Sequence, residues 1–177
     1  MRFHNKSVWI TTWILIVVFF YNCNQSQSQL TDESRKKKVL SMYQSYKSKY
    51  FPANKDLTAE DYIQLSKEEK TILVDIRSES EMEVSMIPGA ISAQEFEANK
   101  DSYRDYKIVA YCTIGYRSGF YAKELREEQF TAYNIIGGVL GWAHAGKQFV
   151  NSEGYSQTVH VYGNNWDLLP KGYESYH

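Results

Sequence analysis

Short apolar runs and longer amphipathic segments alternate through the middle of this chain of 177 residues. Residues 71–75, 107–111 and 131–136 are mostly apolar or β-branched, and each run has the length of a buried strand. Segments with the apolar spacing of helices lie between and after these runs. Strands that alternate with helices predict an α/β fold, with a central and mainly parallel sheet of about five strands flanked by helices on both faces.

The helical segments have recognisable starts. Acidic residues Asp32 and Glu33 precede a stripe of apolar side chains that predicts a helix ending at Tyr50, before Pro52. Thr58 and Asp61 have the spacing of a capping box and open a second helix. The remaining pattern predicts a turn at 87–91 leading into a short strand, a helical turn at 95–99, and helices at 117–128 and 139–143.

The composition is that of a soluble globular protein, with 43% hydrophobic and 23% charged residues. The net charge of −1 gives no support for nucleic-acid binding, which favours a basic domain. The chain has 15 tyrosines, and we interpret those in its flanks as packing against the core. These flanking tyrosines are Tyr43, Tyr46, Tyr50, Tyr155, Tyr162, Tyr173 and Tyr176.

The N-terminal region, residues 1–23, has the pattern of a signal peptide or membrane anchor. Basic residues Arg2 and Lys6 precede an apolar run over 8–21, and a polar tether over 24–31 follows. Cys23 stands where bacterial lipoproteins carry their lipidated cysteine, so lipidation, an uncleaved anchor and a cleaved signal are all open. The basic cluster at 35–38 weighs against export. We nevertheless expect an exported protein, either attached to the membrane by its N-terminal segment or periplasmic.

The candidate chemistry centres on Cys112, which directly follows the apolar run 107–111 and precedes a predicted helix. Loop N–H groups and the positive end of a helix dipole favour an anion at such a place, and the thiolate is the nucleophilic form of cysteine. Arg117 has a planar guanidinium suited to an oxyanion. We expect Thr113 and Ser118 to cap the helix. The four histidines show no metal-ligand spacing, and we expect neither a metal nor a cofactor.

Three groups of residues, in this order, resemble the signatures of the rhodanese (sulfurtransferase) family. They are 74–77 with Glu81 and 87–90, the loop 112–118, and Gly137, Gly138, Gly141, Trp142 and Gly146. The resemblance covers a single domain over 57–150, after a helical extension over 32–56 and before a tail over 151–177. The tail segment 166–170 is apolar enough to clasp that domain. One departure is Ser85–Met86, where the family usually has Gly-His.

The resemblance implies a sulfurtransferase that carries sulfane sulfur as a persulfide on Cys112. The substrates would be a small donor such as thiosulfate and a cyanide or thiol acceptor, including a protein thiol. The substrate-binding loop would comprise Thr113, Ile114, Gly115, Tyr116, Arg117 and Ser118, and Asp75 and Arg77 would support it. Four residues separate the cysteine from the arginine, as in rhodaneses, whereas the related phosphatases have five.

Two other classes of function remain open from the sequence. The domain could bind or sense a partner through the loop without turnover. It could also be a phosphatase-like or arsenate-reductase-like enzyme that uses the same cradle of N–H groups. An inert, buried structural thiol at position 112 would leave the surrounding loop unexplained.

Overall fold

A computed structural model describes residues 31–177 of the chain. Its helices are α1 (Asp32–Tyr50), α2 (Ala59–Glu68), α3 (Glu79–Val84), α4 (Ala93–Ala98), α5 (Tyr116–Glu127) and α6 (Gly138–His144). Its strands are β1 (Lys55–Leu57), β2 (Thr71–Asp75), β3 (Ile91–Ser92), β4 (Lys107–Tyr111), β5 (Thr131–Ile135), β6 (Phe149–Asn151), β7 (Gly154–Ser156), β8 (Thr158–His160) and β9 (Glu174–Tyr176). Short 3₁₀ helices cover Lys100–Tyr103 and Asn164–Trp166.

The central sheet has five parallel strands in the order β1-β5-β4-β2-β3. Asp75, at the end of β2, lies opposite Tyr111, at the end of β4. Because parallel strands end at one edge of a sheet, the residues that follow Asp75 and Tyr111 emerge side by side. The predicted fold class, an α/β domain with about five mainly parallel strands, is confirmed.

Each face of the sheet buries its own cluster of apolar side chains. Leu73 and Val109 face the cluster that includes residues of α1, α2 and α6. Val74 and Ile108 face the opposite cluster, with residues of α4 and α5. Adjacent strand residues point to opposite faces, so near-continuous apolar strands require helices on both sides. The expected capping box of α2 is present, because Thr58 and Asp61 each accept from the other's backbone N–H.

The segments on either side of the central domain, 32–56 and 151–177, contribute residues to the sheet and to the core. The stretch 32–56, expected to be a helical extension, also contains the start of β1, which pairs with β5. In the tail, Leu168 and Leu169 are buried in the main core, as the expected clasp requires. The interpretation of the flanking tyrosines is right for the buried Tyr43 and for Tyr46 and Tyr173, which pack against the core. It is wrong for the exposed tyrosines, which are Tyr50, Tyr155, Tyr162 and Tyr176.

The predicted signal or anchor over 1–23 and most of the tether over 24–31 lie outside the described residues. Within 31–177, no helix has the length and apolar character needed to cross a membrane. Export, lipidation at Cys23 and membrane attachment therefore stay predictions.

Candidate active site

Cys112 follows the last residue of β4 and is almost fully buried, with 1% of its surface exposed. Its carbonyl oxygen accepts a hydrogen bond from the N–H of Val139 at 2.9 Å, so the start of α6 is docked against the cysteine's backbone. The docking leaves no room for a side chain at Gly138, because a Cβ atom there would lie 2.0 Å from the Cys112 oxygen. Glycine at position 138 is therefore required by the close approach of α6 to the backbone of Cys112.

The loop after Cys112 folds back over its sulfur. Gly115 adopts a left-handed conformation with a φ of 91° and forms the N-cap of α5. Its N–H donates a hydrogen bond to the Sγ of Cys112 at 3.2 Å. The Gly115 carbonyl accepts from the Nδ2 of Asn134 at 2.9 Å, which anchors the turn to β5. A main-chain donor at the first turn of a helix is thus directed at sulfur, which favours negative charge there.

Arg117 is held by a carboxylate that comes from another helix. Its guanidinium donates hydrogen bonds to both oxygens of Glu81, at 2.9 and 2.7 Å. Glu81 therefore competes with an oxyanion substrate for Arg117, because the positive charge of this residue is already paired. The pairing is visible only in three dimensions, although a capping box at Ser78 and Glu81 could have been found in the sequence.

The pairing perturbs both groups. Burial alone would raise the pKa of Glu81, but hydrogen bonds from Arg117 and Ser78 outweigh it and lower the pKa to about 2. Burial alone would lower the pKa of Arg117, but its hydrogen bonds to Glu81 and the nearby Cys112 raise it. Both groups are therefore charged at neutral pH.

The loop hydroxyls do not cap α5 as expected. The Oγ1 of Thr113 donates to Glu81 at 3.3 Å and accepts from Arg117 at 3.3 Å, so it joins that ion pair. Ser118 lies inside the first turn of α5, fully buried, and its Oγ has no hydrogen-bond partner among the described residues. The N-cap residue of α5 is the left-handed Gly115, which has no side chain that could cap the helix.

Asp75 and Arg77 form a buried ion pair at the end of β2, next to the end of β4. The Nη2 of Arg77 lies 2.7 Å from the Oδ2 of Asp75, and neither side chain is exposed. The same guanidinium donates to the carbonyl of Ser85 at 2.5 Å and lies 5.7 Å from the ring centre of Tyr111. The pair thus meets the residue before Cys112, and this geometry allows it to support the site only indirectly.

A cavity of about 330 Å³ opens over Cys112. Its floor and sides include Cys112 and the loop residues Thr113, Ile114 and Arg117. Five aromatic side chains, which we call the aromatic wall, complete its lining: Tyr46, Tyr50, Tyr116, Tyr162 and Trp166. Only Tyr116 was expected at the site. Tyr46 and Tyr50 come from α1, whereas Tyr162 and Trp166 come from the tail, to which the sequence assigned no chemical role.

The candidate nucleophile is a free thiol. Within the described part of the chain, no group of three or more His, Cys, Asp or Glu residues is arranged to hold a metal ion. The groups that the site itself offers are one sulfur, a main-chain N–H donor, a paired guanidinium and an aromatic surface.

This fold and site define a class of protein: a parallel α/β domain that presents a cysteine on a strand–loop–helix turn. Residues 58–145 match the family model of the Rhodanese-like domain. This part of the chain belongs to the rhodanese-like domain family, as the sequence resemblance predicted.

Individual proteins are also similar to this chain in sequence or in fold. A tRNA sulfurtransferase from Desulfurococcus amylolyticus is 39% identical over 69 residues, which are 39% of this chain and 14% of the relative. The matched stretch is thus a small part of that relative's length. The structure of a thiosulfate sulfurtransferase from Pseudomonas aeruginosa is 18% identical, with a TM-score of 0.51 over 67% of this chain and 25% of its own. A Bacillus halodurans protein is 21% identical, with a TM-score of 0.48 over 63% of this chain and 87% of its own.

Proposed function

We propose that the protein is a sulfurtransferase that carries sulfane sulfur as a persulfide on Cys112. The observation on which the proposal rests is the hydrogen bond from the Gly115 N–H to the Sγ of Cys112, a residue that lines the cavity. Membership of the rhodanese-like family supports the proposal, as does the short match to a tRNA sulfurtransferase.

In the first step, the Cys112 thiolate attacks the outer sulfur of a donor such as thiosulfate. A bond forms between Sγ and that sulfur, the donor's sulfur–sulfur bond breaks, and sulfite leaves with the electron pair. The product carries its negative charge on the outer sulfur of the persulfide. N–H groups of the loop 113–118 would stabilise that charge, as an oxyanion hole does.

In the second step, a nucleophilic acceptor attacks the outer sulfur of the persulfide. With cyanide, a carbon–sulfur bond forms, the sulfur–sulfur bond breaks, and the electron pair returns to Cys112 as thiolate. The enzyme is regenerated without any net oxidation or reduction of Cys112. A thiolate, including one on a protein, would accept sulfur in the same way.

The test is to mix the purified protein with thiosulfate and cyanide and to measure thiocyanate. We expect turnover by the wild type and none by the Cys112→Ser variant. Full activity of that variant would reject the mechanism. Persulfide formation without turnover would indicate a sulfur carrier, and hydrolysis of an aryl phosphate in its place would favour the phosphatase-like alternative.

We also propose that the protein acts outside the cytoplasm, either anchored through residues 1–23 or released from them. The apolar run after Arg2 and Lys6 supports this proposal. Protease added to intact spheroplasts should then degrade a C-terminally tagged form of the full chain, whereas protection of the tag would contradict export. A Cys23→Ala variant that loses a lipid from the mature mass would identify a lipoprotein.

A further inference from the structure

The aromatic wall is built mostly from segments that flank the matched family domain. Four of its five rings, those of Tyr46, Tyr50, Tyr162 and Trp166, lie outside the matched residues 58–145. They come from segments at opposite ends of the described chain and meet over one cysteine. Packing of the core alone would not require these rings to line the cavity, because Tyr162 is 67% exposed and Tyr50 is 36% exposed.

The rings of the wall contact one another in the geometries that aromatic groups prefer. Tyr46 and Trp166 are near-parallel, at 20°, with ring centres 6.4 Å apart. Tyr116 meets Tyr46 edge-on at 4.9 Å, and Tyr162 meets Trp166 edge-on at 6.3 Å. The rings therefore support one another and present a preformed apolar surface beside the sulfur.

The charge of the site also fits an uncharged substrate body. Both carboxylate oxygens of Glu81 accept hydrogen bonds from the Arg117 guanidinium, so the charge of this cation is paired within the chain. A small inorganic anion would find main-chain donors near Cys112 but no unpaired cation among the side chains that line the cavity. The aromatic side chains of the lining offer an apolar surface that an organic substrate can contact. The volume of about 330 Å³ falls in the range of pockets that hold organic ligands, about 300–1,000 Å³.

We infer that the sulfur donor used by this protein is an organic compound whose transferable sulfur is joined to an aromatic or flat apolar body. The body stacks against the aromatic wall while Cys112 takes the sulfur. This inference rests on the proposed sulfurtransferase function and names the substrate class of the same site.

An aryl thiosulfonate is a probe of this class. The Cys112 thiolate attacks its terminal sulfur, a bond forms between Sγ and that sulfur, and the sulfur–sulfonyl bond breaks. The aryl sulfinate leaves with the electron pair, and the persulfide anion stays on the enzyme. One negative charge enters with the donor and one leaves with the sulfinate, so no other reactant is needed.

The experiment compares benzenethiosulfonate with methanethiosulfonate, which carry the same reacting group on a phenyl or a methyl body. The quantity measured is the ratio of their second-order rate constants for persulfide formation on the full-length protein. Because intrinsic donor reactivity is the same for every variant, a change in the ratio reports on the protein. We expect Trp166→Ala and Tyr162→Ala to lower the ratio by between about threefold and about tenfold.

The matched control is Tyr155→Ala, which removes another exposed tyrosine of the tail that does not line the cavity. We expect this control to keep the wild-type ratio. If Trp166→Ala fails to fold, the result for Tyr162→Ala tests the inference on its own. The largely exposed ring of Tyr162 can be removed without opening the core. Wild-type ratios in both wall variants, with Cys112 still loaded by both donors, would overturn the inference and leave the proposed function intact. Failure of thiosulfate and both thiosulfonates to load Cys112 would overturn both.

Discussion

The guanidinium of Arg117 lies against both carboxylate oxygens of Glu81, although the two residues are 36 positions apart in sequence. The contact joins the short helix α3 to the first turn of α5. Glu81 also accepts from the N–H of Ser78, so a single carboxylate both caps one helix and restrains the start of another. The shape of the loop over Cys112 therefore depends on a residue that sequence analysis did not include among the site residues.

The Glu81–Arg117 pair should make stability depend on acidic pH. The pKa of Glu81 is lowered from its ordinary value of 4.5 to about 2 in the folded protein, so the unfolded chain binds the proton more tightly. The stabilisation is complete above pH 4.5 and is lost as the pH falls to about 2. It amounts to on the order of 3 kcal/mol, because a pKa difference of one corresponds to about 1.4 kcal/mol. Urea unfolding across this pH range measures it.

A Glu81→Gln variant should lack that part of the pH dependence and be less stable at neutral pH. The matched control is Glu79→Gln, which changes an exposed glutamate of the same helix and should follow the wild-type curve. A Glu81→Gln variant with the wild-type slope between pH 4.5 and about 2 would show that this pair does not stabilise the fold.

Gly138→Ala should severely disturb the site, because the added Cβ would lie 2.0 Å from the Cys112 carbonyl oxygen. The residue also has a φ of 53°, where a side chain is disfavoured. We expect a loss of about 3 kcal/mol or more in the free energy of unfolding, measured by urea titration.

Gly146→Ala provides the control for backbone strain without collision. Gly146 has a φ of 69°, and its added Cβ would meet no atom within 4 Å. We expect a cost of about 1 kcal/mol there. Equal losses for the two glycine variants would contradict the tight docking of α6 on Cys112.

Asp75→Asn should destabilise the protein by about 3 kcal/mol, because it leaves the buried guanidinium of Arg77 without its counter-charge. Adding Arg77→Met should restore part of the loss, since no uncompensated charge would remain. Chemical denaturation of the single and double variants measures both effects. The exposed pair of Arg104 and Asp101 is the control, and Asp101→Asn should be indistinguishable from the wild type.

A smaller loss for Asp75→Asn than for the double variant would contradict this account of the Asp75–Arg77 pair. Persulfide formation by the double variant separates the two roles of these residues. If Asp75 and Arg77 act only by bracing Tyr111, a double variant that folds should still load Cys112.

The elements that depend only on the local pattern of apolar and polar residues could be predicted from the sequence. The strands at 71–75 and 107–111 have the predicted bounds, because a continuous apolar run between polar turns leaves little ambiguity. The helix predicted at 117–128 begins one residue earlier, at Tyr116, since the left-handed turn at Gly115 already ends the loop. The position of Cys112 at the end of a strand followed from the same local pattern.

The surroundings of the cysteine could not be predicted in the same way. Glu81 reaches Arg117 only after β2 and β4 have paired and α3 has packed beside them. Trp166 reaches the cavity because its neighbours Leu168 and Leu169 are buried in the core, which is a tertiary effect with no local signal. Helical spacing did identify the stripe that contains Tyr46, but this periodicity could not show that the ring faces a cavity.

The most direct test of the whole account is the mass of the protein after incubation with thiosulfate and removal of excess reagent. We predict a gain of one sulfur atom, mapped to the peptide that contains Cys112 and released as thiocyanate by cyanide. Cys23→Ser should keep the added sulfur and Cys112→Ser should not acquire it. An unchanged mass of the wild type after thiosulfate and after both thiosulfonates, or sulfur uptake that persists in Cys112→Ser, would contradict a persulfide on Cys112.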